Sequence, residues 1–127
     1  MSHAVEIHQL RHRYGERVAL DGIDLQIPAV EIFGLLGPNG SGKSTLFRIL
    51  STLIPPQEGR VSIFGAALCA DHLSQIRRQI GVVFQSPALD RMLSGYENLR
   101  HQGHLYGLRG AVLAGRIDRC IAAVGAQ

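Results

Sequence analysis

The sequence predicts an α/β fold, with an antiparallel β layer at its front and helices at its end. Three observations carry this. Residues 31–36, EIFGLL, form an unbroken run of the kind found in strands buried on both faces. That run leads into a glycine-rich turn, and from Lys43 onward the apolar residues take helical spacing. Upstream, residues 5–10 and 23–27 alternate apolar and polar, as half-buried strands do.

Taken in order, residues 5–10 predict a strand, Tyr14-Gly15 a turn, and residues 19–20 and 23–27 short strands ending near Pro28. Residues 31–36 predict a buried parallel strand. The helix from Lys43 turns Leu46, Phe47, Ile49, Leu50 and Leu53 inward and stops before Pro55-Pro56. A turn at Gln57-Glu58-Gly59 leads to a strand over 60–64. A short helix over 71–80 with Leu73, Ile76 and Ile80 inward precedes a second buried strand, GVVF at 81–84. Residues 85–90 have loop chemistry, and 97–106 and 111–124 show helical spacing. No internal repeat or low-complexity tract interrupts the chain, so one α/β unit with a helical extension is expected.

A hydrophobic content of 46% over 127 residues suits a globular domain. No apolar run approaches the roughly 18 residues of a membrane span, and residues 1–10 do not read as a signal peptide, so a cytoplasmic chain is expected. Cys69 and Cys120 have no partner spacing and are expected as core or near-core thiols. The net charge of +3 and pI near 9.3 would suit nucleic acid, but the arginines are scattered, as on a solvated surface. Of the thirteen Lys and Arg residues only Lys43 is lysine, which points to a need there for a compact ammonium.

Gly37, Pro38, Asn39, Gly40, Ser41, Gly42, Lys43 and Ser44 satisfy G-x-x-x-x-G-K-[ST] between the predicted buried strand and helix. The glycines let the backbone wrap a β-phosphate, with the N–H groups of residues 40–45, Thr45 included, turned toward it. The helix N-terminus adds partial positive charge. Lys43 is expected between the β- and γ-phosphates and the Ser44 hydroxyl on Mg²⁺.

Around this motif, GLLGPNGSGKSTL at 34–46 resembles the ATP-binding cassette family, and the likeness extends over nearly the whole chain. Arg13-Tyr14-Gly15 resembles the A-loop, which implies that the Tyr14 ring stacks on adenine. Residues 55–61 resemble the turn and strand after the first helix. GVVFQ at 81–85 is similar to the strand entering the Q-loop, which implies that Gln85 completes the Mg²⁺ shell and holds the attacking water. Residues 88–99 and 105–108 resemble the branch that drives drug, antibiotic and polysaccharide exporters, with a partner surface implied around Asp90 to Asn98. LSGYE at 93–97 is not the family's LSGGQ signature, because it follows the Q-loop too soon and carries Tyr and Glu in place of Gly and Gln.

The resemblance implies a P-loop NTPase, a RecA-like core with an antiparallel β layer, broken off within its helical subdomain. The core would occupy about residues 1–90 and the start of the helical part about 91–127. It implies ATP and Mg²⁺ as cofactors, a membrane-spanning permease subunit and a second nucleotide-binding subunit as partners, and a place on the cytoplasmic face of the membrane. None of Glu58, Asp71, Asp90, Glu97 and Asp118 ends a run of four apolar strand residues, so no Walker B carboxylate is visible. Binding of ATP without appreciable turnover is therefore expected of these residues, with an apolar sheet edge beside Gly34 and poor solubility. The alternatives are a cassette ATPase acting on nucleic acid, tested by salt-dependent DNA binding, and a small kinase, tested by phosphoryl transfer.

Overall fold

Apolar residues at alternate positions and a glycine at the bend make the front of the chain a long β-hairpin. In the computed structural model, which describes residues 2–126, β1 (His3–Tyr14) runs antiparallel to β2 (Arg17–Pro28), from His3 opposite Pro28 to Tyr14 opposite Arg17. The strand pieces expected at 5–10, 19–20 and 23–27 are thus parts of two twelve-residue strands. The polar residues between them carry the ladder as well, with Arg11 opposite Asp21 and paired to it through its side chain. At Gln9, whose φ is 48°, the ladder bulges, and the Gln9 N–H donates to Asp24 Oδ1 at 2.9 Å.

The other edge of β1 holds β3 (Glu58–Ile63), and a two-residue β4 (Ala66–Ala67), not foreseen in the sequence, closes the order β2-β1-β3-β4. Gly59 faces the bulge with φ 92°, and a Cβ there would lie 2.4 Å from the Gln9 carbonyl oxygen, so the crossing admits glycine alone. Helix α1 (Lys43–Leu50) and helix α2 (Leu73–Gln79), which follows a 3-10 turn at Ala70–His72, supply the cover for the sheet. Ile7, Leu10, Leu20, Val61 and Ile63 from the sheet, Leu46 and Ile49 from α1, and Ile76 from α2 form one buried cluster. Complete burial of a side chain such as Ile49 is worth about 1.5–3 kcal/mol.

The end of α1 is fastened from α2. Thr52 takes a left-handed φ of 68°, and Arg77 donates from Nε to its Oγ1 at 2.9 Å and from Nη2 to its carbonyl at 3.3 Å. The chain therefore leaves helical phase before Leu53, which is exposed instead of facing inward. Phe47 is also half exposed, because Leu46 and Ile49 alone turn fully onto the cluster and Phe47 projects to the side.

The two strands expected at 31–36 and 81–84 are not formed. Among the described residues no strand runs beside either, and a strand exists only where a neighbour supplies the ladder. Their apolar side chains lie outside the core, with Ile32 100%, Leu36 95% and Val83 93% exposed.

The chain divides into two compact units, one up to Val82 and one from Val83 on. In the second, α3 (Gly95–Leu105) and α4 (Gly110–Ala123) pack on each other, with Gly103 so close to Leu113 that a Cβ would meet its Cδ1 at 2.2 Å. Ser94 caps α3: its Oγ accepts from the Glu97 N–H at 3.1 Å, and its own N–H donates to Glu97 Oε2 at 2.8 Å. Asn98 braces the loop ahead, accepting from the Asp90 N–H and donating to the carbonyls of Asp90 and Ser94.

Both cysteines are exposed, contrary to the core placement their type suggests. Cys69 ends the β4 turn with its thiol 3.5 Å from His72 Nδ1, and Cys120 lies beyond Ile117, the last buried residue of α4. Among the described residues no helix is long and apolar enough to cross a membrane.

Candidate functional site

The loop at 37–44 is shaped by its last glycine. Gly42 caps α1 in the left-handed conformation, φ 94°, and lies so close to β2 that a Cβ would come 2.4 Å from the Ala19 carbonyl oxygen and 2.8 Å from Leu20 Cδ2. No other residue type fits there. The loop closes through Ser41 N–H on the Pro38 carbonyl at 3.3 Å, and α1 begins with Leu46 N–H on the Gly42 carbonyl at 2.9 Å. The N–H groups of the first turn, which have no partner within the helix, open onto a cleft of ≈ 300 Å³. Arg17 and Ala19 of β2 line it with Asn39, Gly40, Gly42, Lys43, Ser44 and Thr45.

The Lys43 ammonium turns back over its own loop. It donates to the carbonyls of Gly37 and Pro38, the latter at 2.8 Å, and to Ser41 Oγ at 3.3 Å, using all three of its donors. An arriving phosphate has to draw it from neutral acceptors, which a charge-assisted hydrogen bond favours.

Tyr14 ends β1 at the rim. Thr45 Oγ1, in the first turn of α1, donates to its hydroxyl oxygen at 3.4 Å, and the buried His12 ring meets it edge-on with centroids 4.8 Å apart. The Thr45 hydroxyl foremost, then the guanidinium groups of Arg48 and Arg17, hold the Tyr14 phenol below the ordinary tyrosine range. With 43% of its surface exposed, the ring is anchored at one end and open to solvent.

Of the residues singled out in the sequence, the first unit brings Asn39, Gly40, Gly42, Lys43, Ser44 and Thr45 to the cleft, Gly37, Pro38 and Ser41 to the tether of Lys43, and Tyr14 to Thr45. Gln85 belongs to the unit from Val83 on. Sequence reasoning missed Arg17 and Ala19. The signal for Arg17 was present: a two-residue turn at Gly15-Glu16 sets residues 14 and 17 opposite each other, on one face of the hairpin.

The family model described as ABC transporter matches residues 20–127. The chain belongs to the ABC transporter family. This cassette chain is 38% identical over 118 residues to the daunorubicin resistance ATP-binding protein DrrA3 of Streptomyces coeruleorubidus, an alignment that covers 93% of it and 37% of the relative. Among solved structures it is similar to cbiO1 of Clostridium perfringens, part of the ABC transporter complex cbiONQ, with a TM-score of 0.84 and 27% identity over 98% of this chain and 51% of that one. An ATP-binding cassette solved as a dimer in a post-hydrolysis state with ADP and Pi matches with a TM-score of 0.77 and 32% identity, over 93% of this chain and 56% of that one. The cassette chain thus has the fold of a P-loop NTPase, and it spans between about a third and a little over half of these relatives. The resemblance to the exporter branch agrees with the daunorubicin resistance relatives, and members of the family bind ATP and use Mg²⁺.

Proposed function

We propose that this chain is the nucleotide-binding front of an exporter's ATPase, taking ATP with Mg²⁺ into the cleft beside α1. One observation carries the reading: Gly42, held left-handed against β2, aims the first turn of α1 and its glycine loop at a cleft whose lining includes Lys43 and the Ser44 hydroxyl. Backbone N–H groups, an ammonium and a hydroxyl are the donor set that a polyphosphate and its hard cation require, and this cleft fits both. Loop N–H groups of residues 40–45 would cradle the β-phosphate. Lys43 would leave the Gly37 and Pro38 carbonyls for the phosphates, Ser44 would hold Mg²⁺, and the Tyr14 ring would stack on adenine. Gln85, in the unit from Val83 on, is proposed as the Q-loop glutamine of the family, whose carbonyl would suit a metal ion and whose amide would suit a water.

The whole machine extends this reading. The relatives' drug resistance and the cbiONQ complex support a membrane-spanning permease as partner, and the solved dimer supports a second nucleotide-binding subunit. Both support a position for the chain on the cytoplasmic face of the membrane. The test is calorimetric titration of the 127-residue chain with Mg²⁺-ATP. Binding that weakens by about tenfold or more in Lys43→Ala is expected, from the loss of a charge-assisted hydrogen bond to phosphate. Equal affinity in the parent and Lys43→Ala overturns the assignment. The chain is expected to show no Mg²⁺-dependent ATPase activity that Lys43→Ala abolishes, since its residues include no Walker B carboxylate.

A further inference from the structure

We infer that Arg17 is a second phosphate-binding cation of this site, gripping the polyphosphate of the nucleotide from β2 across the cleft from the glycine loop. The inference rests on the ATP-binding reading and adds to it a residue outside the loop motif. Two side chains that line the cleft carry a positive charge, Arg17 and Lys43. Lys43 has its three donors on Gly37, Pro38 and Ser41, whereas Arg17 forms no ion pair with any acidic group among the described residues. Its guanidinium hangs over the middle of the loop, with Nη2 3.8 Å from where a Cβ of Gly40 would stand. Gly40 itself has φ 83°, a turn that exposes loop backbone toward the cleft.

The hairpin fixes this position. Arg17 opens β2 directly opposite Tyr14, so the guanidinium and the aromatic ring project from the same side of the hairpin tip. A planar fork of five donors suits non-bridging phosphate oxygens, and its weak hydration lowers the cost of taking it from water. A nucleotide stacked on Tyr14 with its phosphates in the loop passes beneath this fork. Arg17 then closes the phosphate chain on the side that α1 leaves open.

The experiment compares the parent chain with Arg17→Gln and Arg17→Lys, titrating each with Mg²⁺-ATP and with inorganic tripolyphosphate at low and moderate salt. Arg17 is exposed, and unchanged thermal melting of both variants confirms the fold. Arg17→Gln is expected to weaken both ligands by the same factor, about tenfold at low salt, and to flatten the salt dependence; Arg17→Lys is expected to regain part of the loss. ATP affinity within twofold of the parent, or a loss confined to ATP with tripolyphosphate unaffected, overturns the inference and leaves the ATP-binding reading standing. A parent chain that binds neither ligand overturns both.

Discussion

Gly42 shows how much of this site hangs on one missing methyl group. In Gly42→Ala the new Cβ meets the Ala19 carbonyl in a backbone conformation that L-residues avoid, so β2 and α1 must separate. We expect a loss of about 2 kcal/mol or more in denaturant unfolding, together with loss of ATP binding. Gly15→Ala is the control: its φ of 60° is also positive, but nothing lies within 4 Å of the added atom, so its loss should be smaller and nucleotide binding should persist. Equal losses in the two variants would contradict this. Tyr14 offers a second check. Its phenol should ionise earlier than ordinary tyrosines in an ultraviolet titration, and the early component should vanish in Tyr14→Phe. Because Phe keeps the ring, its ATP affinity should stay within about twofold of the parent while Tyr14→Ala loses about tenfold. The loop was legible in the sequence because a phosphate cradle is a local pattern of glycines. Arg17 was not sought, because its place in the cleft follows from pairing across the hairpin.

At the scale of elements, the capping box of α3 predicts how the second unit responds to acid. Both the backbone N–H and the hydroxyl of Ser94 favour ionised Glu97 and hold its carboxyl below the ordinary glutamate range. A carboxylate whose folded pKa is depressed stabilises the fold fully above its unfolded value and loses that contribution as pH falls through the folded one. Helix content should therefore drop on acidification into the glutamate range and below, and Glu97→Gln should drop less over the same window. A circular-dichroism titration identical for the two chains would remove Glu97 from the account. Ser94→Ala should cost about 1 kcal/mol at neutral pH, read by denaturant unfolding. The S-x-x-E pattern at 94–97 was open to reading from the sequence, and it explains why α3 starts at Gly95, ahead of the apolar spacing that begins at Glu97. Residues 31–36 and 81–84 teach the opposite lesson. Their composition describes what would be buried on both sides of a sheet, but a strand exists only with a ladder, and no local pattern reveals whether a neighbour is at hand.

For the molecule as a whole, the antiparallel layer and its cover by α1 and α2 could be foreseen, because alternation and helical spacing specify what turns inward at each position. The uncovered apolar surface expected beside Gly34 is present, on a segment that forms no strand. Val30, Ile32 and Leu36 stand almost entirely in solvent on an unpaired backbone. Such a segment invites pairing between copies, so sedimentation of the 127-residue chain should show association that rises with concentration. Ile32→Lys with Leu36→Glu should reduce it, and unchanged association in that double variant would place the contact elsewhere.

The tip of the front hairpin also gives the molecule an optical property. The chain contains no tryptophan and three tyrosines, of which Tyr96 and Tyr106 belong to the second unit and Tyr14 alone to the first. Its hydroxyl meets Thr45 of the cleft lining, and under the proposed binding mode a nucleobase lies flat against its ring. Emission from the front unit is thus that of one fluorophore, and stacking quenches it. Occupancy of the cleft can be followed without a label, in the unmodified chain, by the dimming of a single tyrosine.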